Sequence, residues 1–193
     1  MIRLYNKFFL LFFIGITIFY FLNITRYPSF WMDEAWDTSV AWSFITKGIF
    51  GNSTYPLYGV DKVFFLHPPL PILLEIPLIY LFGITPLTIH FWPLVCSLGS
   101  IFLLYLLIKK LFGEKTALWS ALFLALNPLF FLMSRQLRPE IYVTFFGILS
   151  FYLLALGKER KKPFFYFLTG ITSGLSFLSH YYGAFLIGAI FFF

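Results

Sequence analysis

The sequence predicts an all-α, polytopic membrane protein, and three observations support this fold class. Hydrophobic residues make up 60% of the 193 residues and charged residues only 11%, whereas soluble domains carry about a quarter charged residues. Apolar runs of membrane-spanning length recur along the chain, separated by short charged or proline-containing breaks. The basic residues give a net charge of +6, but they lie in short clusters at the ends of the apolar runs. These clusters indicate membrane topology and not nucleic-acid binding.

The first apolar run, residues 8–23, follows a basic start that contains Arg3 and Lys7. It resembles a secretory signal, but no small-residue cleavage site follows it, so we interpret it as an uncleaved signal anchor. Five further runs are predicted to cross the bilayer: residues 89–108, 116–133, 141–156, 164–178 and 181–193. The last run is still apolar where the sequence stops. We therefore expect residues 1–193 to form the N-terminal part of a longer transmembrane domain.

One apolar stretch, Leu70 to Phe82, is interrupted by prolines and is shorter than the about 20 residues that a membrane-spanning helix needs. The basic clusters decide how to interpret it. The residues of the two later clusters are Lys109, Lys110, Lys115, Lys158, Arg160, Lys161 and Lys162. The positive-inside tendency places both clusters in the cytoplasm together with Arg3 and Lys7. An even number of crossings must then separate residues 7 and 109, so residues 70–82 are predicted to be interfacial or re-entrant.

This topology leaves three polar segments outside: an extracytoplasmic loop over residues 24–88 and short turns at residues 134–140 and 179–181. In the loop, Asp33 and Glu34 directly follow an aromatic segment, residues 27–31, of the kind found at the level of lipid headgroups. An apolar stripe beyond them predicts a helix lying on the outer membrane surface over residues 33–46. The alternative for the two acids is purely local, with Asp33 as a helix N-cap and Glu34 as a first-turn acid.

Two histidines and one further acid are less specific. His67 precedes a double proline, which fixes an extended entry into the interfacial segment and brings an imidazole to the membrane surface. His180 lies at the outer end of the last hairpin. A solvated turn histidine and a satisfied interfacial histidine are the respective alternatives, and His90 is interpreted as structural. Glu75, inside the interfacial segment, is expected to be solvated or to snorkel.

The turn that contains Arg135, Arg138 and Glu140 is more telling, because its arginines lie away from the cytoplasmic basic clusters. Arginine is suited to bidentate capture of phosphate. An internal ion pair between Arg138 and Glu140 is the alternative. Together the outer segments combine carboxylates, imidazoles and guanidiniums at headgroup depth. Such a set can take the proton of an attacking hydroxyl and offset the charge of a departing phosphate, as a reaction on a phosphate-linked lipid requires.

This pattern resembles the GT-C superfamily of polytopic glycosyltransferases, in the branch of dolichyl-phosphate-mannose protein mannosyltransferases and bacterial aminoarabinose transferases. The motifs that carry the resemblance lie in order and cover nearly all of the chain: Asp33-Glu34-Ala35, His67-Pro68-Pro69-Leu70, Lys109 to Gly113, and Asn127-Pro128-Leu129 followed by Ser134-Arg135 and Arg138-Pro139-Glu140. The resemblance implies that Asp33 is the catalytic base assisted by Glu34. It also implies that Glu140 belongs to the same extracytoplasmic site.

The sequence departs from the family pattern at three positions. The turn usually carries Asp where this chain has Glu140, a Lys commonly occurs near His180, and an Arg that often precedes the second-span proline is replaced by Phe91. These differences leave the identity of the sugar donor more open than the type of reaction.

The resemblance implies an integral membrane glycosyltransferase that moves a sugar from a polyprenyl- or dolichyl-phosphate donor to an acceptor hydroxyl on the extracytoplasmic face, with inversion. Arg135, Arg138, His180 and His67 are candidate phosphate- or substrate-binding residues. A divalent metal ion is a candidate cofactor, with Asp33, His67 and Glu140 as candidate ligands. The expected partners are the bilayer, the lipid-linked donor and a protein, lipid or glycan acceptor, and the expected location is the plasma membrane if the source is prokaryotic. A transporter or flippase subunit and a noncatalytic membrane scaffold remain the alternatives.

Overall fold

The computed structural model describes residues 2–51 and 68–192, and all regular structure in these ranges is helical, as the sequence predicts. The helices are α1 (Ile2–Phe21), α2 (Met32–Lys47), α3 (Leu70–Phe82), α4 (Pro86–Phe112), α5 (Glu114–Ala125), α6 (Pro128–Met133), α7 (Pro139–Arg160), α8 (Pro163–Ser179) and α9 (Gly183–Phe192). The interfacial segment, α3, has the limits that its apolar run predicts.

Prolines and glycines set most of these boundaries. Proline opens α4, α6, α7 and α8, at Pro86, Pro128, Pro139 and Pro163. It suits this position because its fixed φ matches a helix and the first N–H of a helix has no intrahelical acceptor. Glycines with positive φ follow α2, α3 and α4, at Gly48, Gly83 and Gly113. A left-handed backbone of this kind costs glycine little, so the chain can leave each helix sharply.

The predicted run over residues 116–133 is divided into two helices, α5 and α6. Pro128 has no N–H to continue the hydrogen bonding of α5, and the side-chain oxygen of Asn127 accepts a hydrogen bond of 3.0 Å from the N–H of Phe130. The new helix is therefore capped where the old one stops.

Among the described helices, α4 and α7 are long and apolar enough to cross a membrane, judged by length and composition. Their 27 and 22 residues correspond to about 40 Å and about 33 Å of helix, against about 30 Å of hydrocarbon. The α3 helix has 13 residues, or about 20 Å, and cannot cross alone. The remaining crossings stay a prediction from the sequence.

The main core lies between α1, α4, α5, α6 and α7, while α8 packs along α7. At one end of α1 the hydroxyl of Tyr20 donates a 2.9 Å hydrogen bond to the carbonyl oxygen of Ala125. At the other end the ring of Phe9 stacks on Tyr105 with centroids 3.7 Å apart, and the amide oxygen of Asn6 accepts hydrogen bonds from Tyr105 and Lys109. Large apolar side chains elsewhere on α1 are exposed, as expected of a surface in contact with lipid.

A smaller cluster joins α2 to α3 through Val40, Ala41, Ile72 and Ile79. Both helices lie close to one end of α4, because α3 also packs against α4. This arrangement places the acidic N-terminus of α2 beside the turn between α6 and α7.

The turn into α9 contains a close approach that only glycine permits. A Cβ atom on Gly183 would lie 2.4 Å from the backbone carbonyl carbon of Ser176 in α8. Apart from the backbone of α9 itself, no heavy atom of the described residues lies within 4 Å of the corresponding position on Gly188, about one turn further along α9.

We therefore predict that Gly183→Ala lowers the thermal stability of the protein, with a cost of about 1–3 kcal/mol from overpacking against a backbone that cannot yield. Gly188→Ala is the matched control and should be neutral or slightly stabilising, because alanine favours the helix. Thermal unfolding of both variants in the same lipid nanodiscs measures the difference. Equal unfolding temperatures for the two variants would contradict the close packing of α8 on α9.

Candidate functional site

The candidate site begins at the N-terminus of α2. The carboxylate of Glu34 accepts a 2.7 Å hydrogen bond from the backbone N–H of Trp31, which satisfies a donor that the helix itself leaves unpaired. Asp33 instead turns outward, and its Oδ2 accepts a 3.1 Å hydrogen bond from the indole N–H of Trp31. Asp33 is therefore not the N-cap of this helix, and its side chain remains about one third exposed (36%).

Arg138 joins Asp33 to the turn between α6 and α7. One terminal nitrogen of its guanidinium lies 3.7 Å from Asp33 Oδ2, and the other donates a 3.0 Å hydrogen bond to Glu140 Oε1. The ion pair between Arg138 and Glu140 that the sequence left open is thus present. It does not isolate these residues, because the same guanidinium reaches Asp33. Two segments more than 100 residues apart in the sequence therefore meet here. Asp33, Arg138 and Glu140 form a partly exposed row of carboxylate, guanidinium and carboxylate.

Several atoms of this row have no hydrogen-bond partner among the described residues. Both contacts of Asp33 fall on Oδ2, which leaves its Oδ1 free. Arg138 Nε and Glu140 Oε2 are also without a partner in the described part of the chain. Arg138 Nε and Glu140 Oε2 are buried atoms, so Oδ1 of the partly exposed Asp33 is the atom of the row that we consider for contact with a ligand.

Glu34 differs from its neighbour because its side chain is fully buried, with 0% of its surface exposed. Besides the Trp31 N–H, its carboxylate accepts a 2.7 Å hydrogen bond from the backbone N–H of Leu137 and lies 3.0 Å from Nε2 of His90. Three donors from three parts of the chain surround this carboxylate. The oxygens of this carboxylate are engaged in hydrogen bonds within the protein, so we do not propose Glu34 as a group that touches substrate.

His90, interpreted as structural from the sequence, is a member of this group. It is 1% exposed and lies in the first part of α4. Its second nitrogen, Nδ1, is 3.3 Å from the carbonyl oxygen of Ile24, in the segment that follows α1. The sequence signal that could have found it is a histidine at the edge of an apolar run, since such a residue needs a polar partner.

The two arginines of the turn have different surroundings. Arg135 is 3% exposed, donates a 2.6 Å hydrogen bond to the carbonyl oxygen of Leu22, and lies over the rings of Tyr27 and Phe131. Burial lowers the pKa of this guanidinium, although its usual value is so high that it stays charged. Arg135 therefore fixes the turn to the end of α1, and Arg138 is the arginine that faces Asp33.

Of the two remaining predicted histidines, His180 is described by the structure and lies between α8 and α9. His180 follows the last residue of α8, and its Nδ1 accepts a 3.1 Å hydrogen bond from the backbone N–H of Tyr182, whose ring centroid lies 4.2 Å from the imidazole. This geometry assigns the proton of a neutral His180 to Nε2. A role for His180 toward substrate remains a prediction. His67 lies outside the described residues.

No group of three or more His, Cys, Asp or Glu side chains within residues 2–51 and 68–192 is arranged to hold a metal ion. Asp33 and Glu140, two of the candidate ligands, have the guanidinium of Arg138 between them. The positive charge that a metal would supply at this point is thus already provided by the chain. We derive no step through a metal.

Glu75 contradicts the expectation of a solvated or snorkelling side chain. It is 0% exposed on the buried face of α3, and neither of its carboxyl oxygens has a hydrogen-bond partner among the described residues. Burial raises the pKa of Glu75 well above its usual range, and the negative charges of Asp37 and Glu34 raise it further. An ionised carboxylate without a partner is very costly in such a place, so the folded protein favours the neutral acid form of Glu75.

An apolar groove of about 370 Å³ borders the same end of α2. Its walls are Phe30, Ala35, Thr38, Ser39, Trp42, Ile84 and Ile89. The hydroxyl of Thr38 has no hydrogen-bond partner within the described part of the chain. The groove and Asp33 are therefore neighbours on one helix, with an apolar surface beside a charged one.

Comparisons with known proteins fit this arrangement. Residues 66–193 match the family model described as dolichyl-phosphate-mannose-protein mannosyltransferase. The chain belongs to this family. The resemblance to GT-C glycosyltransferases predicted from the sequence is thereby confirmed, including its membrane character.

A curated relative, an uncharacterised protein from Aquifex aeolicus (strain VF5), is 32% identical over 191 residues. That alignment covers 97% of this chain but only 37% of the relative, so the chain spans about a third of the length of this family member. No solved structure matches the chain significantly.

The neutral state of Glu75 predicts a specific dependence of stability on pH. Above pH about 4.5, the ordinary value for this group, the unfolded chain releases the proton while the folded protein keeps it. The folded state then binds more protons, so the contribution of this group to stability falls as the pH rises toward the raised folded pKa. Glu75→Gln removes this loss. We expect the variant to match the wild type near pH 4.5 and to unfold at a higher temperature than the wild type at pH 7–8.

Thermal unfolding across this pH range, in detergent or nanodiscs, provides the measurement. Glu159→Gln is the control, because Lys110 lowers the pKa of the exposed Glu159 and that variant should show no gain as the pH rises. A Glu75→Gln variant that becomes less stable than the wild type with rising pH would mean that Glu75 is ionised and paired.

Proposed function

We propose that this protein is an integral membrane glycosyltransferase that moves a sugar from a polyprenyl-phosphate donor to an acceptor hydroxyl at the extracytoplasmic surface, with Asp33 as the general base. The observation that carries the proposal is the contact between Asp33 and Arg138. The carboxylate of Asp33 and the guanidinium of Arg138 lie side by side, each partly exposed, at the end of the helical bundle, and among the described residues Asp33 Oδ1 has no hydrogen-bond partner. Membership of the mannosyltransferase family supports the reaction class.

The proposed step is a single displacement at the anomeric carbon of the donor sugar. Asp33 Oδ1 takes the proton of the acceptor hydroxyl while the acceptor oxygen forms the new bond to the anomeric carbon. The bond from that carbon to the phosphate oxygen breaks at the same time, and its electron pair leaves with the polyprenyl phosphate. Because the acceptor attacks opposite to the departing phosphate, the configuration of the anomeric carbon is inverted.

Arg138 is suited to the phosphate side of this step. Its two terminal nitrogens are donors in one plane, a geometry that matches two phosphate oxygens. The guanidinium is held by Glu140 as well as by Asp33, so it stays positioned when it also binds phosphate. A fixed positive charge near the leaving group stabilises the charge that develops there in the transition state.

The groove beside α2 supports the lipid part of the proposal. An isoprenoid chain offers only apolar surface, and the walls of the groove are mainly aromatic and aliphatic. A lipid tail in this groove would bring its phosphate close to the charged N-terminus of α2. This positioning would reduce the entropic cost of the reaction.

The decisive test is Asp33→Asn. We expect transfer of radiolabelled mannose from polyprenyl-phosphate mannose to fall by about 10²–10⁴-fold, the usual contribution of a general base. A panel of protein, lipid A and glycan acceptors is offered to the full chain in nanodiscs, because the acceptor is not known. The amide keeps the size of Asp33 but cannot take the proton.

Glu159→Gln serves as the matched control, since it neutralises an exposed acid at the other end of the bundle, and it should leave transfer unchanged. Turnover retained in Asp33→Asn would refute the assignment of the base. A wild-type protein that transfers no sugar from any polyprenyl-phosphate donor would refute the function itself.

The proposed location of the site can be tested by chemical labelling. The positive-inside tendency places the basic end of α7 in the cytoplasm and the N-terminus of α2 outside. We expect a membrane-impermeant maleimide to label Ser29→Cys in intact cells and Lys161→Cys only after permeabilisation. The native Cys96 is buried and should give little background. Labelling of both positions from the same side would contradict the proposed topology.

A further inference from the structure

Asp33 and Arg138 come from segments that are far apart in the sequence, yet Asp33 Oδ2 lies 3.7 Å from a terminal nitrogen of Arg138. Other contacts must therefore fix the position of both segments. The carboxylate of Glu34 contacts each of them. It accepts the N–H of Trp31, whose indole in turn holds Asp33, and it accepts the N–H of Leu137, the residue before Arg138. One buried side chain thus connects the two halves of the proposed site. We refer to Glu34, these two N–H groups and His90 as the Glu34 clamp.

The charge of the clamp follows from its hydrogen bonds. A carbonyl oxygen can only accept, so the contact of His90 Nδ1 with the carbonyl of Ile24 requires a proton on Nδ1. The carboxylate of Glu34 already accepts two backbone N–H groups. Its third contact, with Nε2 of His90, is then completed by a proton on Nε2 as well. Both ring nitrogens donate, and His90 is an imidazolium.

The ion pair with His90 stabilises the fully buried carboxylate of Glu34. An ionised carboxylate without a counter-ion in a protein interior costs several kcal/mol. His90 supplies the counter-charge to Glu34 at 3.0 Å and is itself tied to the segment after α1. Among the described residues, the ring of Phe30 also lies near the imidazole, with 5.5 Å between the ring centroids.

We propose that His90 is a positioning residue for the transfer reaction, which acts through the carboxylate of Glu34 to hold Asp33 and Arg138 at their working separation. This inference rests on the proposed function for its catalytic part and on the clamp alone for its structural part. His90 does not touch the row of Asp33, Arg138 and Glu140. Its loss should therefore impair turnover more than donor binding.

The test compares His90→Gln, which removes the positive charge, with His90→Lys, which retains one. We expect His90→Gln to lower kcat for transfer from polyprenyl-phosphate mannose by about 10–100-fold, as misplacement of reacting groups does, with little change in the KM for the donor. We expect His90→Lys to recover part of this loss. Ser97→Ala is the control, because Ser97 is equally buried in α4 but bonds only to the carbonyl of Pro93 in its own helix.

A double-mutant cycle shows whether His90 acts through Glu34. The variant with both Glu34→Gln and His90→Gln should lose no more kcat than Glu34→Gln alone, because the second change removes a partner that is already lost. If the kcat losses of Glu34→Gln and His90→Gln multiply in the double variant, the two residues act independently and the inference is overturned. Equal kcat losses in His90→Gln and His90→Lys would also overturn it.

Amide hydrogen exchange tests the clamp without any catalytic assay. In His90→Gln the N–H of Leu137 should exchange faster, while the middle of α7 keeps its protection. Unchanged exchange at Leu137 would overturn the inference even if the enzyme is active. Faster exchange in His90→Gln, together with a wild-type protein that transfers no sugar, would retain the clamp and refute the proposed function.

Discussion

The arrangement of the polar end of this molecule depends on one buried negative charge. Glu34 is fully removed from solvent, and its carboxylate is stabilised by donors from the start of α2, from the turn before α7 and from α4. Separating any of these segments would leave an unpaired charge in the interior, which is far more costly than the loss of an ordinary surface contact. The loops at this end are therefore fixed by electrostatics, whereas the helices below them are held by packing.

The sequence predicts the helices well because their limits are encoded locally. Prolines at first helical positions and glycines with positive φ mark where helices begin and end, and the apolar run at residues 70–82 coincides with α3. The orientation of α2 is a different matter. The apolar stripe formed by Trp36, Val40 and Phe44 predicts a helix on the membrane surface but not which residues contact the protein: Val40 is buried in the cluster with α3, whereas Phe44 is 42% exposed.

The face of α2 that is actually buried includes Glu34, Asp37, Thr38 and Ala41, at the spacing of one helical side. Periodicity assumes that the apolar side of a helix faces the protein. At a membrane surface that assumption fails, because lipid also accepts apolar side chains. Here the polar groups turn toward one another and toward α3, and no single-sequence pattern reveals this choice. The same failure of the periodicity rule explains why the sequence predicted a solvated or snorkelling side chain for Glu75, which is buried.

Within the candidate site, the sequence singles out Asp33, Arg138 and Glu140 as candidates, because charged residues are rare in this chain and these three lie at or just before the start of a helix. It cannot separate Arg135 from Arg138, since the difference lies in what surrounds each guanidinium. Arg135 meets the carbonyl of Leu22 and two rings, and Arg138 meets carboxylates. His90 was also missed as a member of the site, because its partners lie 56 and 66 residues away along the chain and only the fold brings them together.

The two polar anchors of α1 have a consequence for the bilayer around the protein. Asn6 and Tyr20 lie fourteen residues apart, close to four full turns, so they share one side of the helix at a separation of about 21 Å. Each is bonded to a different end of the bundle. The first helix therefore acts as a spacer of fixed length, and inserting or deleting a single residue between the anchors would rotate one of them by about 100° away from its partner. With α1 crossing the bilayer, as the sequence predicts, membranes of different thickness would adapt to this spacer by bending their lipids, because the helix cannot slide or stretch to suit them.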